Sequence, residues 1–379
     1  MSIIYHMRKR RYLAPWHRKV LGENGLEQEG EAAVAALAAL EGKAAIYHCV
    51  SRVVNREFVL KRQEKEHFVR LMRRYEAFSQ VKVLTFCVMT NHFHILVEVP
   101  AGPEDGGASW SDGRLLKHLE LIYDEAQMGN LRWELAHYRE QGNEAAAVAF
   151  RGRYFRRMWD LSEYMKIVKQ SFTQWFNRRH GRRGVLWEER FKSELVEEGN
   201  AAGRVATYID LNPVRARMVS DPKDYRWSGY GEAVTGKEAA RLGLRMVLFE
   251  EATMRMNEER AGKEVATWRE VMRRYRMLLF EAGEEQVRDE VKKRAGIPLA
   301  RVEKVLARGG SLSEAELGLC RTRYFVDGLV IGSESFVNHV FALTREYFGE
   351  KRQSGARRMR QVTSSLCTMR DLQRDVLRC

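Results

Sequence analysis

The sequence predicts an α+β fold whose core is a split β-α-β, ferredoxin-like arrangement with an antiparallel sheet. Two observations predict it. Short β-branched runs recur at 45–54, 81–89, 92–99 and 191–198, and amphipathic helical patterns follow the first run and precede the fourth. Setting aside a stretch at 101–158 as an insertion, the order is β-α-β-β-α-β plus one further helix.

Each element has its own local reason. "AIYHCVSRVV" (45–54) alternates and is β-branched, so it reads as a strand. "QEKEHFVRLMRRYEAF" places Phe68, Leu71, Met72 and Tyr75 at helical spacing. "VKVLTFCVM" (81–89) and "HFHILVEV" (92–99) read as strands, and the "TN" between them is short enough for a hairpin. "AGPEDGGASWSDG" (101–113) is a loop by composition. Two helical patterns follow it, one with Leu115, Leu119, Ile122 and Ala126 on a face, the other from Leu131 to Tyr138. In "LSEYMKIVKQSFTQWFN" (161–177), Leu161, Met165, Val168, Phe172 and Trp175/Phe176 form one apolar stripe. The basic turn "RRHGRRG" closes that helix, and "FKSELVEE" (191–198) is the fourth strand. "NAAGRVATYIDL" (200–211) is a short helix halted by Pro213, which also disfavours helical geometry at Asn212.

Beyond residue 235 the pattern turns mainly helical, most clearly at 265–280 and 334–348, with Ser313 and Glu316 spaced as a capping box. The chain thus divides into a basic and Ala/Glu-rich extension (1–44), a core with its insertion (45–235), and a mainly helical region (236–379).

Composition narrows the function classes. The 379 residues are 45% hydrophobic and 31% charged, a globular profile without an apolar run long enough to span a bilayer. The first twenty residues lack an apolar core with a small-residue cleavage site, so a cytoplasmic chain is expected rather than a secreted one. Five cysteines, at 49, 87, 320, 367 and 379, form no CxxC pair, which suits reduced thiols. A net charge of +14 favours a polyanionic partner, because neutralised phosphates release counterions.

Three constellations could carry chemistry. In "TNHFHILVEVP", His92 and His94 sit at i and i+2 of a strand, on one face and roughly 6.6 Å apart. Two imidazoles so placed converge on one ion, or they are two polar residues on a half-exposed sheet. Phe93, Ile95, Val97 and Val99 take the opposite face. Glu98 shares the histidine face but sits about 13 Å beyond His94, so it reads as a strand-end carboxylate rather than a ligand. In "TYIDLNPVRARMV", Tyr208 and Asn212 are four residues apart on a short helix. They read as nucleophile and metal ligand, or as a packed ring and a helix terminator. In "FNRRHGRRGVLWEERFK", Arg178, Arg179, Arg182, Arg183, Arg190 and Lys192 surround Trp187. Basic residues interleaved with an aromatic suit a groove for single-stranded nucleic acid, or a solvated turn. No carboxylate cluster of the two-metal nuclease type is present in the core motifs.

Together the segments resemble the single-tyrosine HUH transposases, and most closely the REP-associated tyrosine transposases. "YHCVSRVVNREFVL", "CVMTNHFHILVEVP", "FTQWFNRRHGRRGVLWEERFK" and "YIDLNPVRARMV" carry the likeness, in that order, over about 45–235. The resemblance implies His92 and His94 as metal ligands, Asn212 as the third, and Tyr208 as nucleophile; were Tyr208 dispensable, attention would turn to Tyr164 on the preceding long helix. It implies a divalent cofactor, Mg²⁺ or Mn²⁺, and single-stranded or hairpin-forming DNA as partner, with no membrane. It also implies a bacterial, nucleoid-associated setting and either a monomer or a homodimer. The implied activity is metal-dependent cleavage and rejoining of DNA through a 5′-phosphotyrosine link. The alternative is a domesticated, non-catalytic DNA-binding protein on the same fold.

Overall fold

The structure is a computed structural model that describes residues 14–15, 43–249, 267–280, 328–359 and 366–370. Strand β1 (Ala45–Arg52) leads to helix α1 (Arg62–Ser79), then to β2 (Lys82–Val88) and β3 (His92–Val99). Helices α2 (Asp112–Leu119), α3 (Glu125–Glu140) and α4 (Glu144–Phe155) form the insertion, one helix more than the sequence pattern predicts. Then follow α5 (Leu161–Arg179), β4 (Lys192–Val196), α6 (Asn200–Asp210) and the single turn α7 (Asn212–Arg215). After these come α8 (Gly229–Val234), α9 (Glu238–Leu248), α10 (Trp268–Phe280), β5 (Val330–Gly332), α11 (Glu334–Ala342), β6 (Arg357–Arg358) and β7 (Cys367–Met369). The capping box expected at Ser313 and Glu316 lies outside the described residues.

The strands form one seven-stranded sheet in the order β2-β3-β1-β4-β5-β7-β6. Its first four strands pair antiparallel throughout, the split β-α-β order that the sequence predicts. The rest of the sheet is an addition. Strand β5 pairs parallel to β4, and β7 and β6 follow antiparallel. Strands of two or three residues are too short to show an alternation, so a sequence pattern passes over them.

Both faces of the sheet are covered. On one face, Tyr47, Cys49, Phe93, Ile95, Val97 and Val99 pack against Phe68, Met72, Val168 and Phe172 of α1 and α5. The insertion enlarges this core through Leu115, Leu119, Met128 and Phe150. On the other face, Ile46, Leu84, Leu96 and Val196 pack against Ala201, Val205, Ile209, Leu244 and Tyr275. Strand β3 is therefore buried on both sides, not half-exposed: Leu96 and Glu98 lie inside as well as Phe93 and Ile95. Glu98 meets Lys82 Nζ at 3.5 Å, an ion pair rather than a ligand position.

One close approach fixes the second layer. A β-bulge between Val83 and Thr85 shifts the register of β2 against β3. Helix α9 lies directly on the bulged strand at Gly243, where a Cβ would stand 2.4 Å from the Leu84 carbonyl oxygen and 2.7 Å from that of Val83. These are backbone atoms and cannot swing aside. Gly243→Ala is therefore expected to cost about 1–3 kcal/mol of stability, read from the shift in urea midpoint. An unchanged midpoint would show that α9 does not rest on β2 at this point.

Candidate functional site

The β1–β3 register builds the site. Arg52 stands opposite His92, Val50 opposite His94 and His48 opposite Leu96. On the other side of β1, Val50 faces Lys192 and His48 faces Glu194. Directly paired residues point to one face, so His92, His94, His48, Arg52, Glu194 and Lys192 all share the face on which α6 lies. Ala201, Ala202 and Ala206 of α6 are small and fully buried, which lets that helix come close to the sheet.

Tyr208 projects from the same helix into this cluster. Its ring stands edge-on to His94, centroids 5.7 Å apart, and edge-on to His48 at 6.2 Å. The His92 and His94 rings are perpendicular, with centroids 5.1 Å apart. The Arg215 guanidinium lies 4.7 Å over the Tyr208 ring, and its NH1 donates to the Tyr208 carbonyl at 3.2 Å. Asn212 is on the separate turn α7, past the break at Leu211. Its Nδ2 donates to the carbonyls of Tyr208 at 3.0 Å and Ile209 at 3.3 Å, closing the end of α6. That engagement occupies the amide nitrogen and not Oδ1. Tyr164 is excluded from this group. It is fully buried in the opposite core, with its hydroxyl donating to the Met72 carbonyl at 3.4 Å.

The imidazoles are prepared as lone-pair donors. Burial, and then the neighbouring Arg52, lower the pKa of His92 to about 4. Burial, followed by the charges of His92, His48, Arg52 and Arg215, holds His94 well below the ordinary histidine range. Both rings are thus neutral at pH 7. Asn91 Nδ2 donates to the Arg56 carbonyl at 3.0 Å, which turns its Oδ1 toward His92 Nδ1 at 2.7 Å. An amide oxygen only accepts, so His92 Nδ1 carries the proton and Nε2 holds the lone pair. His94 Nδ1 meets His48 Nε2 at 3.0 Å, which leaves its Nε2 for the site. Neutral nitrogens with their second nitrogen occupied fit a divalent ion that takes mixed N and O ligands. Among the described residues no group of three His, Cys, Asp or Glu side chains could hold a metal ion.

The basic loop is stitched to the same end of the sheet. Val54 N donates to the Leu186 carbonyl at 2.9 Å, Glu188 N to the Arg52 carbonyl at 2.9 Å, and Val53 N to the Asn91 carbonyl at 2.8 Å. Arg178, Arg179, Arg183, Arg190 and Lys192 are exposed, whereas Arg182 is partly buried, its guanidinium 6.0 Å from the Phe176 ring. Arg179 also bonds Gln63 and reaches Glu64 at 3.9 Å. Of the two roles open to Trp187, stacking a base or packing the core, the structure shows the second. Trp187 is 8% exposed, sits against Phe68, Phe93 and Phe172, and donates its indole N–H to the Lys169 carbonyl at 3.3 Å. A large apolar ring beside arginines is ambiguous in sequence, and here the core takes it.

Sequence reasoning missed His48, Glu194, Arg52 and Arg215. The signal for Arg52 and His48 was parity within "AIYHCVSR", but their facing depends on a register with β3 and β4 that no local pattern gives. Asp210, two residues past Tyr208, was also missed. Its Oδ2 accepts from Thr85 Oγ1 at 2.8 Å and Tyr275 Oη at 2.5 Å, and its Oδ1 accepts from Tyr230 N at 3.1 Å. It thereby ties α6 to β2, α10 and α8.

Fold and site together define a class: an α+β protein with an antiparallel four-stranded core in a mixed sheet, two neutral histidines, a tyrosine edge-on to one of them, and a cationic rim. Residues 43–103 match the family model described as IS200-like transposase. That segment runs from β1 to β3 and contains His48, His92 and His94, so over it the chain is transposase-like. Tyr208 and Asn212 lie outside the matched segment. A solved structure titled as a REP-associated tyrosine transposase bound to a REP hairpin is similar at 13% identity, over 51% of this chain and 81% of that one. Its TM-score is 0.33, a likeness too loose to carry an argument. No curated protein matches the chain. Among the described residues, no helix is long and apolar enough to cross a membrane.

Two outcomes follow from this geometry. Burial pushes the Asp210 carboxyl from 3.8 up to about 7, against the pull of its three donors. A raised folded-state value gives stability that is complete below the unfolded value and is lost as pH rises through the folded one. Wild-type stability should therefore fall between about pH 4 and pH 7 and level off above that, and Asp210→Asn, neutral throughout, should flatten that limb in urea titrations. Parallel limbs would contradict the assignment. If the exposed cations contact phosphates, Arg183→Ala and Lys192→Ala should each weaken single-strand binding. Each should lower the slope of log affinity against log salt by about 0.7, read by anisotropy. Unchanged slopes would place the strand elsewhere.

Proposed function

We propose that the chain cleaves and rejoins single-stranded DNA through a covalent link to Tyr208. The observation that carries this reading is the Tyr208 ring edge-on to His94, 5.7 Å between centroids, on the sheet face that also bears His92. A nucleophile-bearing side chain beside two neutral imidazoles and a cationic rim suits transfer at a phosphodiester.

In this reading, Arg52, Lys192 and the exposed arginines of the 178–190 loop draw in the strand. Neutral His92 and His94, with Asn212 Oδ1, would hold a divalent ion, Mg²⁺ or Mn²⁺, which would supply Lewis-acid polarisation of a phosphate oxygen. Arg215, stacked over the Tyr208 ring, restricts the rotation of that ring and keeps positive charge beside the reacting phosphate. Tyr208 Oη then attacks phosphorus. A P–Oη bond forms, the P–O3′ bond breaks, and the leaving 3′ oxygen takes up a proton as the phenol gives one up. The products are a 5′-phosphotyrosine and a free 3′-OH. The number of phosphoester bonds is unchanged, so reversal by a 3′-OH rejoins the strand without ATP. The motif resemblance favours hairpin-forming DNA as the substrate.

The test is a denaturing gel after incubation with Mn²⁺ and a labelled single-stranded hairpin. A protein–DNA adduct should form, vanish with EDTA, and fall by at least about 10³-fold in Tyr208→Phe. An adduct that persists in Tyr208→Phe would overturn the nucleophile. Tight binding without adduct across a range of hairpins would favour the non-catalytic DNA-binding reading.

A further inference from the structure

One buried chain of hydrogen bonds ends on His94 and starts in the C-terminal part of the molecule. Gly328 N donates to Glu194 Oε1 at 2.6 Å. Glu194 Oε2 lies 3.1 Å from His48 Nδ1, and His48 Nε2 lies 3.0 Å from His94 Nδ1. His48 is 0% exposed, and His94 and Glu194 are each 3% exposed. The two imidazoles stack, centroids 5.3 Å apart and planes 12° from parallel.

We propose that Glu194 and His48 are positioning residues that set which nitrogen of His94 carries its proton. The inference rests on the reading of His94 as an ion ligand. A carboxylate accepts only, so His48 Nδ1 bears the proton facing Glu194. In the neutral ring His48 Nε2 is then an acceptor, and His94 Nδ1 must donate to it. The His94 proton is thereby held on Nδ1, and Nε2 keeps its lone pair for the site. The competing arrangement has His48 doubly protonated and donating both ways, which forces the His94 proton onto Nε2 and blocks ligation.

This gives the C-terminal strands a part in the site. Gly328 precedes β5, which pairs with β4 through Leu195 and Val330, next to Glu194. A Cβ at position 328 would stand 2.2 Å from Thr368 Oγ1 on β7, so the backbone there is held close against both strands. Glu194 has one oxygen on the core sheet's own histidine and the other on the added segment.

The geometry makes Glu194→Gln a directional test. The Gly328 N–H can only donate, so it captures the amide oxygen and turns the Gln NH₂ toward His48 Nδ1. His48 must then carry its proton on Nε2 and donate to His94 Nδ1, which moves the His94 proton to Nε2. Nitrogen-15 NMR of the histidine-labelled, metal-free full chain reads this without DNA or activity. His94 should be protonated on Nδ1 in the wild type and on Nε2 in the variant. Mn²⁺ affinity of the DNA-free chain, read by electron paramagnetic resonance, should fall by about 10–100-fold. The same His94 tautomer in both proteins, or equal Mn²⁺ affinity, overturns the relay. Should the variant fail to fold, a wild-type His94 protonated on Nε2 overturns it alone. Since the tautomer is read without metal or substrate, failure here leaves the Tyr208 adduct test standing, and the converse also holds.

Discussion

The register of β1 is the constraint on which the molecule depends. This strand is paired along both edges, to β3 and to β4, and its odd and even residues feed opposite cores. Tyr47 and Cys49 enter the layer of α1 and α5, whereas Ile46, His48 and Val50 face α6. A slip of one residue against either neighbour would send every side chain to the wrong face. It would also part His48 from both His94 and Glu194. The strands that make the core are therefore the strands that make the site.

Covering both faces raises what that register must supply. A histidine on an open sheet face can bond to water. His94 and His48 lie under a helix and cannot, so each needs a protein partner for its second nitrogen. The partners found are asymmetric. His92, at the rim, is held by the neighbouring Asn91, while His94, inside, is held through His48 by a carboxylate two strands away in the sheet order. Tyr208 comes to this pair from a helix with small residues on its sheet side, fixed at the same, C-terminal end by Asp210. Position of Tyr208 and order of the second core are thus one problem with one solution.

Periodicity made much of this legible. The four core strands, α1, α5 and α6 follow from alternation and amphipathic spacing, and the histidine pair follows from i, i+2 geometry on β3. What escaped sequence reading depends on contacts distant in the chain. His48 and Glu194 are 146 positions apart and become partners only when β1 and β4 pair. Strands β5 to β7 are too short to carry a pattern, yet the residue leading into β5, Gly328, supplies the amide that holds Glu194. Trp187 is the reverse case: its arginine neighbours suggested a stacking platform, and three aromatic rings of the core claimed it. Asn212 lies four residues past Tyr208 but opens a new turn, with Leu211 between the two helices and Pro213 in the first turn of the second; Asn212 is thus helical, against the disfavour expected before a proline.

The central claim is that His92 and His94 present Nε2 lone pairs to one ion beside Tyr208. A crystal soaked in Mn²⁺ and measured at the manganese absorption edge tests it most directly. The account predicts one anomalous peak within bonding distance of both Nε2 atoms, with Asn212 Oδ1 and the Tyr208 hydroxyl turned toward it. A peak bound to neither histidine, or the two imidazoles turned with Nδ1 atoms into the site, would contradict it.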